Sequence, residues 1–210
     1  MHKITLVCSA HRENGLCNAE ELLKLLLALE PEVVFQEIRS SDNWSLEAQA
    51  IARYREFKSC QPVHVDRYDI PANLLAEFKE DVDRVLDCVS QRSDEYGLLE
   101  RENSISANHD GFMYLNSPAF ANKRARMSEI EDETIIGTHD EGLIRALQWW
   151  RHVMQNRELQ MVGNIYEYCR RNVFDIGVFL VGAAHKTGIE KVTEKYASAE
   201  ADLIRWTFGL

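Results

Sequence analysis

Short apolar runs alternate with helical patterns along most of the chain, and this alternation limits the folds open to it. Strand candidates lie at 4–8, 33–35, 62–66 and 176–181, and the residues between them carry apolar side chains at helical spacing. Strands that are separated by helices usually pair in parallel through crossover connections. The sequence therefore predicts an α/β fold with a mixed, mainly parallel central sheet and helices on both faces.

The helices are predicted from apolar spacing and from residues that start or stop a helix. The first begins after Asn18 and ends before Pro31. The others are expected at 46–57, from Pro71 to about 89, at 141–169 and at 189–201. Ser, Asn, Gly and Pro interrupt the pattern at about 104–140, and the acidic run 129–133 is typical of a solvated loop or helix end. We expect one domain over 1–210, with this irregular stretch as an insertion or lid.

Charge and cysteine content narrow the possible partners and compartment. The 210 residues include 24 Lys and Arg and 34 Asp and Glu, a formal net charge of −10. This balance argues against nucleic acid and against anionic membrane surfaces as partners. Five cysteines without a Cys-x-x-Cys argue against a disulfide framework, a zinc ribbon or a redox site. With no apolar run long enough for a membrane span and no secretory signal, a cytoplasmic protein is expected.

One short pattern occurs twice. The segment 6–12 (LVCSAHR) resembles 180–186 (LVGAAHK), and each has an apolar strand, then small residues, then His and a base, followed shortly by Gly. The carboxyl ends of parallel strands meet at one edge of a sheet, where ligands bind. If these two strands are neighbours, His11 and His185 converge on one site, and neutral imidazole is a common metal ligand. The alternative is two unrelated histidines that are satisfied by backbone hydrogen bonds.

Carboxylates occupy similar places on the other strands. Glu37 follows the second strand, Asp66 ends the third, and Glu13 lies two residues after His11. Two imidazoles with carboxylates suit Mn, Fe, Co or Zn, so we predict a divalent metal whose ligands come from His11, His185, Glu37, Glu13 and Asp66. Glu37 as an exposed strand end remains an alternative, and for Asp66 a polar turn is the favoured alternative.

Arg157 is the third notable feature. It shares a mostly apolar helical face with Met154, Met161 and Ile165. A buried arginine needs a partner, which a carboxylate or a substrate anion at the strand ends can supply. Otherwise its stem is buried and its head reaches solvent.

At these residues the sequence resembles the TIKI/TraB family, within the wider superfamily that includes ChaN-like haem-binding and erythromycin-esterase-like proteins. The second Gly-x-x-His motif of that family matches 182–185 (GAAH), and the first matches 8–11 (CSAH), with Cys in place of Gly. Glu37 matches the acidic strand end, and 156–158 (NRE) stands where the family has Glu-Arg-Asn/Asp. The resemblance implies an α/β fold and, for the TIKI branch, metal-dependent peptide-bond hydrolysis.

These features predict a metal-dependent hydrolase acting on a peptide or ester bond of a small molecule or peptide. His11 and His185 would hold the metal or position its water, Glu37 would be a ligand or general base, and Arg157 would stabilise negative charge. The main alternative is a non-catalytic protein of the same fold that binds a ligand or haem, or serves as an interaction module. Acyl transfer through Cys8 is a third interpretation.

Overall fold

The chain forms an α/β structure, which a computed structural model describes for residues 1–38, 45–68 and 70–210. Within these residues the elements are β1 (His2–Ser9), α1 (Ala19–Leu29), β2 (Val33–Gln36), α2 (Leu46–Phe57), β3 (Gln61–His64), α3 (Ala72–Arg92), α4 (Asp94–Leu115), α5 (Pro118–Gly137), α6 (Glu141–Arg171), β4 (Ile176–Gly182), a 3₁₀ turn (Ala183–His185), α7 (Lys186–Ala199) and β5 (Ile204–Phe208).

The central sheet has the strand order β3-β2-β4-β1-β5, and every described pair of neighbours is parallel. The predicted α/β fold with helices around a mainly parallel sheet is therefore confirmed. β4 is the middle strand, and it pairs with β1 on one side and with β2 on the other. Ser9, the last residue of β1, pairs with Gly182, the last residue of β4. The two copies of the repeated pattern thus lie side by side.

Burial explains why the three inner strands, β2, β4 and β1, consist largely of consecutive apolar residues. A parallel strand that is covered on both faces needs apolar residues throughout rather than alternation. All four residues of β2 are buried, as are the last six of β4. Phe35 of β2 is fully buried and lies edge-on to Tyr168 and Phe174, with ring centroids 5.4 and 6.0 Å away.

The helical predictions hold where a capping residue marks the start. Asn18 accepts a hydrogen bond from the backbone N–H of Glu21 and begins α1. Ser45 does the same for α2 through Ala48. The edge strand β5 was not predicted, because most of its residues are exposed and it lacks a continuous apolar run.

The expectation of an irregular stretch at 104–140 is wrong, because α4 and α5 occupy it. The residues that interrupt the pattern lie at helix ends and at one kink. Ser117 caps α5 by accepting from the Phe120 N–H, Pro118 is its first residue, and Gly111 bends α4 at a φ of 59°. Within the acidic run, Glu131 is fully buried and accepts hydrogen bonds from Arg151 and Tyr96.

No helix in the described part of the chain is both long enough and apolar enough to cross a membrane.

The packing of β2 yields a stability prediction. Phe35→Ala removes a fully buried ring and should lower the free energy of unfolding by about 3–5 kcal/mol. Phe57→Ala removes a ring that is 65% exposed and should change it by less than about 0.5 kcal/mol. Urea unfolding of both variants measures the difference, and equal losses would contradict this description of the core.

Candidate functional site

The carboxyl edge of the sheet brings three predicted residues together. His11 lies two residues beyond β1, His185 lies in the 3₁₀ turn after β4, and Glu37 directly follows β2. Because β4 lies between β1 and β2, the chain segments that leave all three strands are neighbours. The prediction that the two imidazoles converge at the ends of neighbouring strands is confirmed, and their role as a functional site stays a prediction.

Glu37 is the centre of this cluster. Its Oε2 lies 3.3 Å from Nε2 of His11, and its Oε1 lies 3.6 Å from Nε2 of His185. The backbone N–H of Gly182 donates to Oε2 at 2.7 Å, and Arg157 Nη2 donates to Oε1 at 2.6 Å. Glu37 is buried, so the expectation of an exposed strand end does not apply.

A second carboxylate fixes the far side of each imidazole. Nδ1 of His11 lies 2.6 Å from Oε1 of Glu47, and Nδ1 of His185 lies 3.0 Å from Oε1 of Glu158. Both glutamates are buried. Each ring therefore presents Nε2 to Glu37 while its Nδ1 is held by its own carboxylate.

Sequence reasoning gave no role to Glu47 or Glu158. Glu47 lies in the first turn of α2, and helix N-termini that follow parallel strands lie at the carboxyl edge of the sheet. Glu158 directly follows Arg157 in α6. An acidic residue in the first helical turn, or beside the buried arginine, was the available signal for each.

Arg157 bridges two carboxylates. Its Nε and Nη2 donate to Oδ2 of Asp66 at 2.9 and 2.6 Å, and Nη2 also donates to Glu37. The prediction that a carboxylate at the strand ends pairs with this arginine is confirmed. Asp66 joins the cluster through Arg157 rather than beside the imidazoles.

Glu13, the remaining predicted ligand, is not brought into the cluster. It is exposed and has neither a hydrogen bond nor an ion pair within residues 1–38, 45–68 and 70–210. The chain between β1 and Glu13 does not continue the strand, because His11 has a positive φ of 58°, a left-handed backbone conformation. Such a conformation is uncommon for a side chain other than Gly, and it persists here because the ring is held by Glu47 and faces Glu37.

Two glycines of the repeated pattern leave room for the charged side chains. A Cβ atom at Gly182 would lie 2.6 Å from Nε2 of His11. A Cβ atom at Gly188 would overlap the carboxylate of Glu158. Both positions therefore require glycine if the side chains keep their places.

The carboxylates control the ionisation of the cluster. Burial by itself would lower the pKa of His11, but its hydrogen bonds and charge interactions with Glu37 and Glu47 outweigh burial and raise this pKa to about 10. For His185 burial acts in the same direction and is outweighed by Glu158 and Glu37, so its pKa is raised too. Burial would raise the pKa of Glu37, but the two imidazoles hold it well below its usual range.

Among the described residues, the cluster has an excess of negative groups. It contains the carboxylates of Glu37, Asp66, Glu47 and Glu158 against one permanent cation from this part of the chain, that of Arg157. Oε2 of Glu47 is buried and accepts no hydrogen bond from the described residues. An arrangement of this kind favours additional positive charge, either as protons on the imidazoles or as a bound cation.

The donor atoms suit a divalent metal in kind. Among the described residues, no three His, Cys, Asp or Glu side chains are already arranged around one point as metal ligands. Nevertheless, two imidazole nitrogens and one carboxylate are a recurrent set of transition-metal ligands. Metal-bound histidines usually donate their other ring N–H to a carboxylate or carbonyl, as His11 and His185 are placed to do with Glu47 and Glu158.

Cys8 is unsuited to nucleophilic attack. It is fully buried, and burial raises the pKa of its thiol to about 12. A thiol in this state is neutral at physiological pH, and the thiolate is the nucleophilic form. The geometry therefore argues against acyl transfer through Cys8.

Comparison of the chain with models of protein families, with curated proteins and with solved structures gives no match. The resemblance to the TIKI/TraB family stays a prediction that depends on the four short motifs.

The contact between Gly188 and Glu158 yields a prediction about His185. Gly188→Ala should displace the Glu158 carboxylate and lower the pKa of His185, because that hydrogen bond helps to raise it. NMR titration of the imidazole in metal-free protein measures the shift. Gly97→Ala is the control, since its Cβ meets nothing within 4 Å. An unchanged His185 pKa in Gly188→Ala would contradict the described packing.

The raised pKa of His11 yields a prediction about stability and pH. A folded-state pKa of about 10, above an unfolded value of about 6.5, contributes stability that is complete below pH 6.5 and is lost as the pH rises to 10. As the pH rises from 6.5 to 10, the free energy of unfolding should therefore fall more for chelator-treated wild type than for His11→Asn. Urea unfolding at pH 6, 8 and 10 measures both slopes, and parallel slopes would refute the prediction.

Proposed function

We propose that this protein is a divalent-metal-dependent hydrolase that cleaves a peptide or ester bond. The observation that carries the proposal is the pair of imidazoles whose Nε2 atoms face one carboxylate while separate glutamates hold their Nδ1 atoms. This arrangement supports His11, His185 and Glu37 as the groups that would hold the metal. A divalent metal bound there would lower the pKa of a water and polarise a carbonyl oxygen.

Glu37 is better suited to be a ligand than a general base. Both of its oxygens already accept hydrogen bonds, from Gly182 and Arg157. A carboxylate whose two oxygens are engaged in this way is poorly placed to take a proton from a water. Its negative charge and central place are what a cation site requires.

Arg157 would stabilise negative charge that develops on the substrate. Its Nε and Nη2 hold Asp66 and Glu37, whereas Nη1 donates to no atom of the described residues. The side chain is one-quarter exposed, and we expect Nη1 to be the nitrogen that donates to a carbonyl oxygen approaching the cluster. The two carboxylates hold the guanidinium in one orientation before the substrate arrives.

Glu47 and Glu158 would act as positioning residues. Each accepts from an Nδ1–H and thereby orients its ring so that Nε2 points toward Glu37 at the centre of the cluster. The hydroxyl of Ser9 donates a hydrogen bond to Oε1 of Glu47, the same oxygen that faces His11. This hydrogen bond restrains the carboxylate further. Losing a partner of this kind commonly costs 10–100-fold in metal affinity.

The proposal predicts metal binding that depends on the two clustered histidines. Protein loaded with Mn²⁺, Co²⁺, Fe²⁺ or Zn²⁺ and then dialysed should retain about one ion per chain, measured by elemental analysis. His11→Ala with His185→Ala should lower metal affinity by more than about 100-fold, because both imidazole donors are lost. The matched control is His109→Ala with His152→Ala, which removes two exposed imidazoles and should retain the ion.

Activity is tested with the same proteins. Metal-loaded wild type and the control variant should hydrolyse members of a panel of N-blocked peptides and p-nitrophenyl esters, and the His11/His185 variant should not. Metal loss in both double variants, or hydrolysis that survives chelation, would contradict the proposal. Protein that binds no metal but develops an absorbance band when haem is added would support the non-catalytic alternative instead.

A further inference from the structure

A cavity of about 590 Å³ opens beside the charged cluster, between α3 and α6. Asp66 and Arg157 line one end of it. Most of the remaining lining is apolar and comes from Leu75, Phe78, Val82, Trp150, Val153 and Met154. Pockets that bind small molecules are commonly 300–1,000 Å³ in volume and mostly apolar, with a few polar groups that orient the ligand.

We propose that this cavity binds a bulky apolar group of the substrate, so that the substrate is a neutral amide or ester that carries an aromatic or branched aliphatic side chain. The inference rests on the proposed function, because it takes the Glu37 cluster as the place of reaction. Arg157 makes the connection, since it is a lining residue of the cavity and its guanidinium donates to Glu37.

The charges around the cavity favour an uncharged ligand. The positive charge of Arg157 is paired with two carboxylates, those of Asp66 and Glu37. Lys79 and Asp83 also line the cavity, and they carry opposite charges four residues apart on α3. A ligand carboxylate would be repelled by the carboxylates of Asp66 and Glu37, and an ammonium group would have to leave water for a mostly apolar lining, which is costly for a charge. A neutral carbonyl oxygen can accept a hydrogen bond from Nη1 of Arg157, which has no partner among the described residues.

The aromatic lining favours a flat or branched group over a small one. Phe78 and Trp150 contribute rings to the cavity, and Phe78 lies edge-on to Trp149 with ring centroids 5.2 Å apart. A ring or branched chain between α3 and α6 would bury apolar surface on both sides, at about 25 cal/mol for each Å² removed from water. A substrate with a hydrogen atom in that place would leave the cavity unfilled.

The test measures binding and does not depend on catalysis. The probes are N-acetyl-phenylalaninamide and N-acetyl-glycinamide, titrated into the protein and followed by NMR. The phenylalanine probe should bind at least about 10-fold more tightly, as apolar pockets typically discriminate. Leu75→Trp fills the cavity and should weaken binding of the phenylalanine probe about 10-fold while leaving the fold intact, because Leu75 is 39% exposed.

The matched control is Leu98→Trp, the same substitution at an exposed leucine of α4 that does not line the cavity. Its affinity for the phenylalanine probe should stay within about 2-fold of wild type. Equal affinity for the two probes, or equal effects of the two Leu→Trp variants, would overturn the cavity assignment even if metal and hydrolysis are found. Selective binding of the phenylalanine probe that Leu75→Trp alone abolishes would support it even in a chain without metal.

Discussion

The parallel pairing of β1 with β4 is the constraint on which the charged cluster depends. It places the last residues of the two strands side by side, so that His11 and His185 approach Glu37 from neighbouring segments. A shift of the pairing by one residue would turn the side chains of a strand to the opposite face of the sheet. In the observed register Ser9 pairs with Gly182, and this pairing sets how closely the two segments that carry the imidazoles approach each other.

Charge balance is the second constraint, and it follows from the first. Once the strands bring Glu37 into the interior, its charge must be compensated, since a buried carboxylate without a partner costs several kcal/mol. Arg157 compensates part of it, but Asp66 also draws on that guanidinium, and Glu47 and Glu158 add their own charges through the imidazoles. The described carboxylates therefore favour an additional positive charge between the imidazoles of His11 and His185. This is the electrostatic condition for holding a cation.

The parts that the sequence predicted well are those set by short-range patterns. Strand ends, helix caps and the repeated His pattern are local, and they were enough to find His11, His185, Glu37 and Arg157. Glu47 and Glu158 were given no role because an acidic residue in a first helical turn or beside an arginine does not by itself show how α2 and α6 dock on the sheet. Glu13 was misplaced because the left-handed turn at His11 is held by contacts across the fold.

The helices at 94–137 show a different limit. Ser117 and Pro118 interrupt the apolar spacing in the same way whether they lie in a loop or at the start of a helix. Only packing separates the two: Phe112 and Leu115 pack into the core beside the sheet, and Glu131 becomes a buried partner of Arg151. Local pattern alone therefore identifies the breakpoints but not the structure on either side of them.

Arg157 connects the charged cluster to the cavity between α3 and α6, and neither the cluster nor the cavity alone accounts for its arrangement. A lysine would carry the same charge but could not present Nε and Nη2 to Asp66 and Glu37 while keeping Nη1 directed elsewhere. Filling the cavity would further exclude water from this guanidinium and strengthen its interaction with any oxygen at Nη1. Recognition of an apolar group and stabilisation of the negative charge that develops on the substrate would then depend on the same side chain. A substrate that leaves the cavity empty would therefore also be the one whose developing charge is stabilised least.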